Sequence, residues 1–385
     1  MKRMIGKAAA RGRRRLRPAA AQWLTLFGIG IMLGITLAAF KLSASALDAH
    51  RAHERQTASG QIAPSKERTV SSEVRDKPDG MQEKEGKIAS NSDELEQTIV
   101  KVYLMKEKRI ERVPLEIYVR GVVAAEMPMD FELEALKAQA IAARTYIVRR
   151  LAFHDNSGMP SSNGAKGAEV TDTVEHQVYV PLAELAKRWP EDKRKSYSEK
   201  LKQAVDQTKG RIITYDGEPI QAVFFSTSNG YTENSEDYWA QEIPYLRSVS
   251  SPWDKELSPR YKETIRFDLT EFYQKLGLES EGSGKPAIRV INKTAGGRIG
   301  ELIVGKKRLT GREVREKLGL ASSQFIWTIK GDSIAFTTYG YGHGVGMSQW
   351  GANGMAKTGV KAEDILAHYY SGTKVEQASK LSSRY

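Results

Sequence analysis

The feature that most restricts this chain is a charge-free run of 23 residues, 18–40, containing WLTLFGIGIMLGITLAAF. About twenty apolar residues cross a bilayer, and the core of a secretory signal is usually shorter. Residues 1–17 hold eight Lys or Arg and no acid. A basic flank this dense predicts a single-pass anchor whose N-terminus stays in the cytoplasm, with everything after Lys41 extracytoplasmic. Ser43-Ala44-Ser45-Ala46 resembles a signal-peptidase site and leaves cleavage open beside the uncleaved anchor favoured here.

The tail also accounts for most of the charge. Subtracting its eight bases from the formal +12 leaves +4 for the other 368 residues, too little to argue for a nucleic-acid partner. Cysteine is absent, so disulfides, a thiolate nucleophile and a cysteine-based zinc site are excluded. Residues 41–97 are polar, mixed in charge and without period. They read as a disordered tether spanning roughly 40 Å.

The folded part is expected over residues 98–380, as an α+β mixture of helices and antiparallel sheet with a smaller β-rich subdomain inserted at 261–335. TIVKVYLM looks like a strand. Residues 155–170, rich in Gly, Ser and Asn, read as a loop, and 171–180 as extended. Residues 182–209 read as one charged helix closed by Gly210. Asp216-Gly217 between two β-prone runs signals a hairpin. Residues 231–256 form a long aromatic loop suited to binding. Two similar helix endings, EFYQKLGL and EVREKLGL, punctuate the inserted segment.

The stretch GVVAAEMPMDFELEALKAQAIAARTY, residues 121–146, carries the chemistry. Glu126 stands in an apolar setting. Pro128 separates it from a helix expected from about Phe131, with Asp130 as N-cap. Lys137 and Arg144 are two turns apart on one face of that helix and are expected to point into the same cleft. A carboxylate in an apolar turn beside cations suits acid–base work; a solvated or ion-paired Glu is the structural alternative.

The second unusual stretch, YGYGHGVGMSQWGANGMAKTG (339–359), matches neither phosphate-loop pattern. Its alternating glycines, with His343, Gln349 and Trp350, suit a sugar; a tight Gly-rich strand buried in the core fits equally well. A last helix is expected at 361–370. The six His residues show no metal spacing, and Ser226 and Ser228 lack a nucleophile-elbow context.

Together these two stretches, FFSTSNGYTENSEDYWAQEIPYLRSVSSPWDK and ILAHYYSGT resemble the stage II sporulation protein D family of endospore-forming bacteria, over about residues 98–375. The resemblance implies a membrane-anchored lytic transglycosylase that acts on peptidoglycan during forespore engulfment, from the mother-cell membrane and facing the intermembrane space. It makes Glu126, in A-E-M-P, the catalytic acid. It assigns Arg144, in A-A-R-T, and Tyr245 and Arg247, in P-Y-L-R, to glycan binding. Some relatives bind zinc through Cys and His; here Ser228 stands in the cysteine-like position and no metal or other cofactor is expected. The resemblance also implies a sporulation amidase that strips stem peptides first, and a membrane scaffold. A raised pKa at Glu126 requires that Arg144 contact substrate rather than pair tightly with it. A non-catalytic glycan-binding or amidase-enhancing module is the alternative function.

Overall fold

The computed structural model describes residues 97–239, 241–279 and 285–380. The basic tail, the apolar span and nearly all of the tether lie outside these. Among the described residues no helix is long and apolar enough to cross a membrane.

The first hairpin, β1 (Ile99–Leu104) and β2 (Arg109–Pro114), runs directly into α1 (Leu115–Glu126). Apolar residues at 115, 118, 119, 122 and 123 keep one face of α1 buried, so Val122–Ala125 are helical and not part of a turn. Met127, placed before Pro128, is extended at φ −121°, ψ 141° and stops the helix there.

The next helix, α2 (Leu133–Ala152), begins two residues later than the pattern predicts. Asp130 does not cap it; its carboxylate takes the Tyr197 hydroxyl at 2.6 Å and Lys193 at 3.3 Å. Glu132 is the N-cap, and its N–H reaches Asn353 Oδ1 at 2.8 Å. Ala138, Ala140, Ala142 and Ala143 are all fully buried, so α2 is wrapped on every side. Small side chains let neighbouring helices approach closely all round it, and it forms the axis of the main core.

Of the expected extended run at 171–180, only β3 (Val170–Thr171) is strand, parallel to β1. The single helix expected at 182–209 is two, α3 (Leu182–Arg188) and α4 (Arg194–Asp206). Pro190 divides them: it cannot donate to a helical ladder and holds Trp189 extended. The hairpin β4 (Arg211–Tyr215) and β5 (Glu218–Pro219) turns through Asp216 at φ 50° and Gly217 at φ 80°, as Asp-Gly predicts. Then come β6 (Phe224–Phe225) and two short helices, α5 (Glu236–Trp239) and α6 (Asp254–Leu257).

Residues 262–339 hold β7 (Lys262–Asp268), α7 (Leu269–Leu276), β8 (Ile288–Lys293), β9 (Ile299–Val304), β10 (Lys307–Thr310), α8 (Gly311–Leu318), β11 (Phe325–Lys330) and β12 (Ser333–Tyr339). They make two antiparallel three-stranded sheets, β8–β9–β10 and β7–β12–β11, around an apolar cluster of their own that includes Phe272, Leu302, Val314 and Phe336. Both LGL endings close as the sequence suggests, with Gly277 and Gly319 left-handed at φ 64° and 65°.

The chain returns to the main core through β13 (Met347–Ser348), α9 (Gln349–Lys357), α10 (Ala362–Tyr369) and β14 (Lys374–Gln377). β13 lies parallel to β6, and β14 flanks β4.

Candidate active site

Glu126 is the last residue of α1, at the point where Pro128 forces the chain out of the helix. The residue is half-buried, and protein crowds its carboxylate. Oε1 accepts the Val178 N–H at 2.8 Å, and Oε2 lies 3.4 Å from the Gln349 amide nitrogen. Burial raises its pKa to about 7, against the pull of those two donors. No cation is among the causes of the shift, so the carboxyl can hold a proton near neutrality.

The loop that brings Val178 over Glu126 is fixed from below. Tyr179 stacks on Tyr118 of α1 at 5.4 Å, and the Tyr118 hydroxyl donates to Gln177 Oε1 at 3.2 Å. Gly121 makes this possible: a Cβ there would meet the Tyr179 ring at 2.5 Å and the Val180 carbonyl at 2.8 Å. A glycine inside a helix costs about 1 kcal/mol relative to Ala, so its place here is explained by the close approach. Gly121→Ala is expected to destabilise the protein by about 1–2 kcal/mol in urea unfolding despite the better helix propensity. By loosening the Val178 bond, it is also expected to move the alkaline limb of the pH–activity profile upward. An unchanged profile with unchanged stability would refute the support role.

Of the other predicted site residues, Gln349 touches Glu126. Trp350 packs edge-on against Phe131 at 4.7 Å, five residues beyond it in the chain. Both positions are set by Ser348, whose hydroxyl caps α9 on the Gly351 N–H. Lys137 bonds Glu134 at 2.8 Å on the same helix.

Arg144 is a correction. It is fully buried, and its guanidinium grips Glu116 at the first turn of α1 through Nε at 2.9 Å and Nη2 at 2.6 Å. Nη1 reaches the Arg211 carbonyl at 3.1 Å. Because α1 and α2 pack side by side, Arg144 meets the start of α1 while Glu126 sits at its end, ten residues or roughly 15 Å along the axis. Arg144 therefore ties α1 to α2 and β4, and it shares no cleft with Lys137.

His343 is held inward as well. Its Nδ1 takes the Val345 N–H at 3.1 Å, so the proton sits on Nε2, facing the Phe224 carbonyl at 3.1 Å. Phe225, Tyr238 and Trp239 surround the ring at 5.4–5.7 Å. Burial, reinforced by Arg315, pushes its pKa down to about 3, and it stays neutral. The alternating glycines pack tightly, a Cβ on Gly346 lying 2.1 Å from the Val223 carbonyl, but they are not the expected strand: 340, 342, 344 and 346 all have positive φ, between β12, which ends at Tyr339, and β13, which starts at Met347.

The Tyr245 hydroxyl accepts the Gln221 N–H at 2.9 Å, and its ring rests against Tyr215. Arg247 grips Glu236 with both terminal nitrogens and reaches Glu242 at 3.4 Å. That pairing holds the Glu236 carboxyl below its usual range.

Sequence reasoning missed Tyr118, Gln177, Val178 and Asn353. Val178 acts through its backbone, which no residue pattern reveals; Gly121 within an apolar helical run was the available signal for the loop above it.

A family model described as Stage II sporulation protein matches residues 103–215. The stage II sporulation protein D of Bacillus subtilis (strain 168) is 49% identical over 289 residues, 74% of this chain and 81% of that protein. Its counterpart in Bacillus amyloliquefaciens is 47% identical over the same shares. The amidase enhancer of B. subtilis is 28% identical over 66% of this chain and 39% of its own length.

Proposed function

Because the chain belongs to the stage II sporulation protein D family, a family of sporulation proteins, we propose that it is a peptidoglycan lytic transglycosylase with Glu126 as its one acid–base group. The substrate is the MurNAc–GlcNAc bond of glycan strands already stripped of peptides. The carrying observation is the carboxyl of a half-buried residue with its pKa raised to about 7 by desolvation and no cation holding it ionised.

Protonated Glu126 gives its proton to the glycosidic oxygen as the C1–O bond breaks. The carboxylate so formed takes the proton of the MurNAc C6 hydroxyl, whose oxygen bonds to C1 and closes a 1,6-anhydro ring. No water is consumed, so one carboxyl serves both halves. The bond from Val178 N–H is well placed to stabilise the carboxylate between them. A hydrolase would need a second free carboxylate at about 5–9.5 Å. Glu233 and Glu236, two acids of the 231–256 loop that face arginines, are each held in an ion pair.

The cellular reading follows the same premise: residues 18–40 anchor the protein in the mother-cell membrane, and its site faces the intermembrane space during engulfment. An amidase and a membrane scaffold are its partners there. Likeness to the amidase enhancer favours a second reading, a glycan-binding module without catalysis. Incubating the full-length protein with peptide-free glycan strands and analysing the products by mass spectrometry decides between them. Anhydro ends support the transglycosylase; reducing ends mean hydrolysis; binding without cleavage means the module.

A further inference from the structure

The inserted segment differs in charge from the rest of the molecule. Residues 261–339 hold 14 Lys or Arg against nine acids, a surplus of five, whereas residues 18–385 as a whole have a surplus of four. All the positive excess outside the N-terminal tail therefore lies in this segment.

The sheet β8–β9–β10 displays part of it. Antiparallel register sets Val290, Leu302 and Leu309 in one row, and all three pack into the apolar cluster of the segment. The neighbouring row, Arg289, Ile303 and Arg308, therefore lies on the opposite face. Ile291, at the bulge between Val290 and Asn292, is 37% exposed. Neither Ile291 nor Ile303 is part of the cluster. Lys285, Lys293 and Lys306 are exposed around the strands, and with Arg289 they have no carboxylate partner among the described residues. Glu301 is already taken by Arg308 at 2.6 Å. A groove of about 560 Å³, lined by Ala287, Ile288, Arg289, Ile303, Gly305 and Lys306, opens at one end of the sheet.

We propose that this face of the inserted segment rests on the surface of an anionic phospholipid bilayer, with Arg289, Lys293 and Lys306 against phosphate groups and Ile291 and Ile303 at the acyl boundary. Cations beside exposed aliphatic side chains match such an interface on both counts, since phosphates attract the bases and the acyl boundary takes the isoleucines. A water-soluble polyanion would satisfy the bases and leave the isoleucines in water. On the anchor reading above, a bilayer lies within reach of a tether of roughly 40 Å. The chemistry of the face does not depend on that anchor. Each Lys or Arg at an anionic surface strengthens binding about fivefold, and the attraction fades over a Debye length of about 8 Å at physiological salt.

Because the chain has no cysteine, one introduced thiol can be labelled specifically. The test uses full-length protein carrying Ile291→Cys with an environment-sensitive fluorophore, on vesicles that contain a spin-labelled lipid as quencher. The vesicles are phosphatidylcholine alone or phosphatidylcholine mixed with phosphatidylglycerol. Val174→Cys, at a position 76% exposed in the main unit, is the control. We expect quenching at 291 on the phosphatidylglycerol vesicles only, and none at 174. Arg289→Gln/Lys306→Gln, which changes two exposed side chains, is expected to weaken docking about 25-fold with an unchanged melting temperature. Quenching at 291 that is absent, equal on phosphatidylcholine, equal at 174 or untouched by the double change overturns the proposal. Shielding of the label from iodide by inorganic polyphosphate, without lipid quenching, also overturns it and assigns the face to a soluble polyanion. Flotation with pure phosphatidylcholine vesicles scores the anchor separately, and no readout depends on glycan cleavage, so failure of those readings and failure of this face are distinguishable.

Discussion

Glu126→Gln is expected to lower glycan cleavage by about 10²–10⁴-fold, the range associated with a positioned general acid, with little change in glycan binding. Gln keeps the shape and still offers an oxygen to the Val178 N–H, so the loss isolates the proton. In the wild type, activity needs the protonated form at the first step and is expected to fall as pH rises through about 7. Stability should move the other way in the variant. With a folded pKa near 7 against an ordinary glutamate value of 4.5, the folded protein holds the proton more tightly than the unfolded chain. Wild-type stability therefore declines as pH rises from about 4.5 to 7, by up to about 3 kcal/mol, and stays lowered above that. Glu126→Gln should then be more stable than wild type at pH 8 and nearly equal to it at pH 4. Full cleavage by Glu126→Gln would remove the single-acid mechanism. Equal stability at pH 8 would show that the carboxyl is not raised.

Arg144→Ala is expected to destabilise the protein by about 3 kcal/mol in urea unfolding, because Glu116 loses its two charge-assisted bonds and the Arg211 carbonyl loses its donor. The paired change Glu116→Gln/Arg144→Met, which removes both charges and keeps the bulk, should recover most of that loss. Glycan affinity of the folded Arg144→Ala fraction should match the wild type. The substrate-binding role implied by resemblance predicts the reverse: near-normal stability with weakened affinity. The two measurements therefore separate the readings cleanly.

The arginine shows where a motif stops being informative. Its spacing from Lys137 does put both on one side of α2, but α2 is buried all round, so a shared face is not a shared cleft. Which neighbour each side chain meets depends on the antiparallel pairing with α1, a long-range arrangement. The same limit appears at His343, whose residue type suits sugar binding but whose two ring nitrogens are taken by the Val345 N–H and the Phe224 carbonyl.

What the sequence determined by itself was local. Met127-Pro128 ended α1, Asp216-Gly217 turned a hairpin, the two LGL endings closed α7 and α8, and the apolar residues around position 126 marked that carboxyl as unusual. Each of these follows from backbone sterics or residue period within a few positions. Only the tertiary structure decided the carboxyl's surroundings: Val178 arrives from 52 residues away and Gln349 from 223, while Arg144 is drawn off to Glu116. Proton affinity depends on desolvation and on which donors come within 3–4 Å, and those distances exist only after the chain has packed.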